Sequence, residues 1–63
     1  RVLNIARVYA KGVEAFGDMD ALNRWLALYN PVIGDTPKNL LDTTTGCRIV
    51  EHELIRAQHG IMA

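Results

Sequence analysis

FGDMDALNRWLALYNP, residues 16–31, contains the end of one helix, the start of a second and its stop. Gly17 can take the left-handed turn that closes a helix. Asp18, directly after it, can accept from the free backbone N–H groups that open the next one. Leu22, Trp25, Leu26 and Tyr29 follow at i, i+3, i+4 and i+7, the spacing of one buried helical face. Pro31 ends the segment, because the residue before a proline is pushed out of the helical region. One helix therefore gives way to another within a couple of residues.

Upstream, Val2, Ile5, Tyr9, Val13 and Phe16 share one stripe of a helix over about residues 2–16, widened by Ala6 and Ala10. Downstream, the connector PVIGD leads to Thr36, an N-cap candidate, and to Pro37 at the first helical position, where its missing N–H costs nothing. Leu40 and Leu41 give a short helix, about 37–42, something to bury. Thr43 caps the last helix, about 44–59, whose apolar stripe is Cys47, Val50, Leu54 and Ala57. Ile49 and Ile55 lie off that stripe, so the helix is apolar on more than one side. Gly60 reads as its stop, with His59 placed where a positive charge suits the helix dipole. The expected fold is all-α: a small bundle of two long helices, one short helix and a long C-terminal helix with a short apolar tail.

The chain has 63 residues, a size at which folding hides only about 60% of the surface and stability is marginal. A single cysteine, Cys47, excludes an internal disulfide, and no Cys/His cluster offers a structural zinc site. Of the usual supports for so small a core, a partner chain remains. Seven basic and seven acidic residues are scattered along the sequence and cancel, which argues against a nucleic-acid surface. No apolar run reaches the length of a membrane span and no signal-peptide pattern is present, so a cytoplasmic setting is expected. Arg1 leads straight into helical periodicity without an initiator methionine, as in the tail piece of a longer protein.

Catalytic chemistry is not expected. His52 and His59 share a helix side but lie about 10 Å apart along the axis, too far for one ion. Glu51 and Glu53 flank His52, yet sequence neighbours on a helix point about 100° apart and do not converge. No phosphate loop and no nucleophile elbow occurs, and no cofactor or metal is implied. Cys47 and Trp25 fit the core as apolar residues. The last residues, AQHGIMA, are different. Ile61 can fold back as the apolar partner of a C-cap, but Met62 has no such place, and a bare apolar end resembles a ligand for a groove.

Read together, WL at 25 and 26, NPVIG at 30–34, TP at 36 and 37, LL at 40 and 41, Thr43, Gly46 and HGI at 59–61 form an ordered set. With FGD at 16–18, this set closely resembles the toxin-binding domain of the Xre/MbcA/ParS-like antitoxins, over nearly the whole chain. The resemblance implies a bacterial type II toxin–antitoxin system of RES-Xre type. Residues 1–63 would be the toxin-binding domain, with the family's N-terminal helix-turn-helix domain, and its DNA binding, outside this sequence. The implied partner is a RES-domain toxin that consumes NAD or transfers ADP-ribose from it, and the end of the antitoxin occludes the toxin's cleft. On that basis the toxin-binding residues are Arg48, Glu51, His52, Arg56, His59, Gly60, Ile61, Met62 and Ala63. The family often has an aromatic residue where Met62 stands, a second glycine where Asp35 stands and alanine where Leu22 stands. The alternative is a helical dimerisation module, a homodimer with no toxin. A DNA-binding reading is disfavoured by the neutral charge and by the acidic residues Glu51 and Glu53.

Overall fold

A computed structural model describes the backbone of residues 2–62 and the side chains of residues 4–60. Among the described residues it contains three α-helices, one 3-10 turn and no strand: α1 is Val2–Phe16, α2 is Met19–Ala27 and α3 is Thr44–Met62, with the 3-10 turn at Pro37–Leu40. The expected side chain of Val2 in the first stripe lies outside the described residues.

The corner at Gly17 and Asp18 forms as the sequence requires. Gly17 has φ of 86°, and its N–H donates to the Val13 carbonyl at 2.7 Å. The Asp18 carboxylate accepts from the Ala21 N–H at 2.7 Å, capping α2. Phe16 and Trp25 meet across the corner with ring centroids 5.9 Å apart, in a tilted arrangement. The core consists of Val8, Leu22, Leu26, Cys47, Val50 and Leu54. Burying each aliphatic chain of this kind stabilises the fold by about 2 kcal/mol before ordering costs. The Cys47 thiol donates to the Leu41 carbonyl at 3.4 Å, so the residue packs as a small hydrophobe with its hydrogen satisfied.

Four features differ from the sequence expectation. In α1 the expected Ile5, Tyr9, Val13 and Phe16 pack half-buried against the core, but the most buried line is rotated toward Val8 and Gly12, while Ala6 and Ala10 are exposed. The rotation arises because Leu22 of α2 lies directly against Gly12, and a glycine contributes nothing to an apolar pattern. Helix α2 ends at Ala27, before Pro31 can act on it, and Leu28 is extended at φ −98° and ψ 143°. The cause is Asn30, whose side-chain oxygen accepts from the N–H groups of Val32 and Ile33 at 2.9 and 3.3 Å. Its own N–H donates to the Asp35 carbonyl at 3.0 Å, closing the loop on itself. Tyr29 therefore falls outside the helix and is 66% exposed rather than core.

The third difference is the short helix, which is a single 3-10 turn ending at Leu40. Thr36 occupies its N-cap without a side-chain bond. Asp35 acts instead, its carboxylate accepting from the Thr36 N–H at 2.6 Å and from the Asn39 amide at 3.2 Å. Thr43, by contrast, caps α3 as expected: its hydroxyl oxygen accepts from the Gly46 N–H at 2.9 Å.

The fourth concerns the end of the chain. Gly60 does not stop α3, which continues through it to Met62. A glycine C-cap needs a left-handed residue and a contact to fold back upon. The left-handed glycines among the described residues are Gly17 and Gly34, and nothing lies within 4 Å of where a Gly60 Cβ would be. The expected tail is thus a last helical turn. The side chains of Ile61 and Met62, and Ala63 altogether, lie outside the described residues. A test follows from the backbone. Gly60→Ala should raise helix content by circular dichroism and stabilise the terminal turn by up to about 1 kcal/mol. A left-handed cap at Gly60 would give the opposite sign.

Candidate functional site

Two faces of α3 are committed to the fold and one is not. Cys47, Val50 and Leu54 turn inward. At about 100° per residue, Thr45, Ile49, His52 and Arg56 lie on the opposite side. The loop at residues 31–34 approaches this outer face. It forms with α3 an open groove of about 420 Å³, lined by Val32, Ile33, Thr45, Arg48, Ile49, His52, Glu53 and Arg56. The sequence explains the approach: the Asn30 side chain and the Asn30–Asp35 bridge hold the loop closed, which leaves Val32 pointing to solvent.

The floor of the groove is apolar and partly bare. Val32 is 63% exposed and Ile49 44%. The rim is charged. Arg56 donates to both oxygens of Glu53, at 3.0 and 3.1 Å, a two-point pair on successive turns. The Glu53 hydrogen bond, and then its charge, raise the Arg56 guanidinium further above its ordinary range, so it stays fully protonated. Arg48 is exposed and has no ion-pair partner among the described residues. His52 is exposed on the same rim.

The structure divides the residues that the sequence singled out. Arg48, His52 and Arg56 come together at the groove. His59 is exposed one heptad beyond His52, on the continuation of the same face, and Gly60 is exposed beside it. Glu51 is turned toward α1, where its carboxylate accepts from the Arg7 guanidinium at 3.2 Å. Arg7 is largely exposed there, so the pair contributes under about 1 kcal/mol. Ile49 was visible in the sequence as an apolar residue off the core stripe. Val32 and Ile33 were missed as site residues; two apolar β-branched residues inside a turn were the available signal. No group of three metal-ligating side chains occurs among the described residues. No described helix is long and apolar enough to cross a membrane.

Beyond Leu54, α3 contains no fully buried residue among those whose side chains are described. From Leu54 to Met62 the helix rises about 12 Å. Within that stretch Ile55, Ala57 and Gln58 are half-buried, while Arg56, His59 and Gly60 are exposed.

A family model described as the antitoxin Xre/MbcA/ParS C-terminal toxin-binding domain matches residues 11–60, from the second half of α1 to Gly60. Comparison with curated proteins and with solved structures gives no match.

Proposed function

Since the chain belongs to the antitoxin Xre/MbcA/ParS C-terminal toxin-binding domain family, we propose that it neutralises a RES-domain toxin acting on NAD, by carrying the end of α3 into the toxin's active-site cleft. The observation that supports this reading is the length of α3. It is the longest of the described helices, and beyond Leu54 none of its described side chains is fully buried, Ile55, Ala57 and Gln58 being half-buried. A helix that outlasts its core is suited to entering a concave surface.

In this mechanism the domain performs no chemistry. Residues 59–63 fill the cleft and deny NAD its path, while Arg48, His52 and Arg56 meet the toxin further back along α3, away from the cleft. Helical backbone as far as Met62 limits the ordering cost that an extended tail would incur on binding. DNA contact would belong to a helix-turn-helix domain in a longer antitoxin of which this chain is the toxin-binding part.

The experiment is to express the chain with the protein of the neighbouring reading frame. The neighbour should contain a RES domain, co-purify with the chain and lose its NAD turnover as the chain is added. A neighbour that binds but remains fully active would overturn the plug, and one without a RES domain would overturn the assignment of the partner. The alternative, a helical dimerisation module without a toxin, predicts a homodimer by light scattering that is unaffected by the neighbour.

A further inference from the structure

We propose that the groove between α3 and the loop at residues 31–34 is a second anchoring point for the toxin, receiving a toxin segment that carries an apolar side chain next to a carboxylate. The proposal rests on the reading above that the partner is a toxin, and goes beyond it by separating holding from plugging. Ile49 lies about 20 Å along the helix from Met62. The groove and the helix end therefore meet different parts of the partner.

The chemistry of the occupant follows from the lining. Val32 and Ile49 expose apolar surface on a domain with little to spare, and the groove volume of about 420 Å³ accommodates a small number of side chains. An apolar ligand alone would take water from Arg48 and leave its charge unanswered, which is costly. A carboxylate beside the apolar group satisfies that guanidinium with charge-assisted hydrogen bonds. The neighbouring cation does not need one, because Arg56 is already held by Glu53.

Other occupants fit less well. A nucleic-acid backbone needs several free cations to release counterions, and this rim offers Arg48 among an apolar floor and a carboxylate. In a two-fold dimer the same patch faces itself. Its one lining carboxylate, Glu53, is committed to Arg56, so a symmetric copy leaves Arg48 without a partner.

The test uses the whole chain, the RES-domain toxin from the adjacent reading frame, and three variants: Ile49→Asp, Val32→Ser and Arg48→Glu. Calorimetric titration measures affinity, and NAD turnover is measured with toxin saturated by each variant. Each substitution should weaken binding on the order of tenfold or more, while saturated toxin stays inhibited. Arg48→Glu should also reduce the salt sensitivity of binding. Circular dichroism checks folding; Val32→Ser, outside any helix, decides the matter if a helical variant unfolds. Unchanged affinity for a toxin that the parent chain binds and inhibits would overturn the groove and leave the plug standing. Unchanged toxin affinity with dissociation of a homodimer would assign the groove to a second copy and overturn the proposal. A toxin that the parent chain binds without inhibiting would overturn the plug, with groove affinities still read independently.

Discussion

On the proposed mechanism, deleting residues 60–63 should return the toxin's NAD turnover toward that of the free enzyme, while the truncated chain should keep its fold. The two halves of this expectation have separate causes. Leu54 is the last fully buried residue among the described side chains, and Gly60 is exposed with nothing within 4 Å of where its Cβ would be, so the deletion takes away no described core residue. What it removes is the segment proposed to enter the cleft. The concentration needed for half-inhibition should rise about a hundredfold, the equivalent of about 2.7 kcal/mol. Binding through the groove should persist. Met62→Asp is the milder form of the same test, placing a charge where the plug requires an apolar group. It should weaken inhibition without changing the circular dichroism spectrum. Full inhibition by the truncated chain would show that occlusion does not depend on the end of α3.

The second large effect is on stability. Gly46→Ala should lower the melting temperature by about 10–20 °C, corresponding to about 2–3 kcal/mol in a domain of this size. A Cβ at Gly46 would fall on the Leu40 carbonyl oxygen, 2.8 Å from the carbonyl carbon and 2.9 Å from the Thr43 hydroxyl. The obstacle is backbone, which cannot swing aside as a side chain end could. Relief requires the 3-10 turn to move off the start of α3, which would disturb the Thr43 cap and the Cys47 bond to Leu41. For a chain of 63 residues the whole stability is about 3–9 kcal/mol, so the loss is a large share of it. Thermal unfolding followed by circular dichroism measures it. A change of only a degree or two would mean that the close approach does not exist in solution.

The departures from the family pattern gain a physical reading from the structure. Asp35, where the family often has glycine, caps the 3-10 turn through Thr36 and Asn39. Leu22, where alanine is common, fills the space against Gly12 at the centre of the core. Both substitutions are absorbed inside the domain and leave the outer face of α3 unaltered.

Local chemistry was legible residue by residue. Gly17 and Asp18 specify the corner through a left-handed turn and a carboxylate cap, and Thr43 specifies the start of α3 through its hydroxyl. None of these needs a distant part of the chain. The inward stripe of α3 was legible for the same reason, because a single period places Cys47, Val50 and Leu54 together. The family resemblance also stood in the sequence, as an ordered set of short motifs, and the family match over residues 11–60 agrees with it.

Features that depend on two segments meeting were not legible. The rotation of α1 toward Val8 and Gly12 exists because α2 needs room for Leu22, and a missing side chain leaves no trace in a hydrophobic pattern. The early end of α2 is imposed by Asn30 reaching forward to Val32 and Ile33, which removes Tyr29 from the core. The groove exists because the loop at residues 31–34 lies against α3, so Val32 becomes part of a site some twenty residues away in sequence. Gly60 illustrates the limit most directly. Its residue type permits both a stop and a continued helix, and a stop requires something for the chain to fold back upon. Among the described residues no such neighbour lies at that point, and the helix runs on, so the surroundings rather than the glycine decide its course.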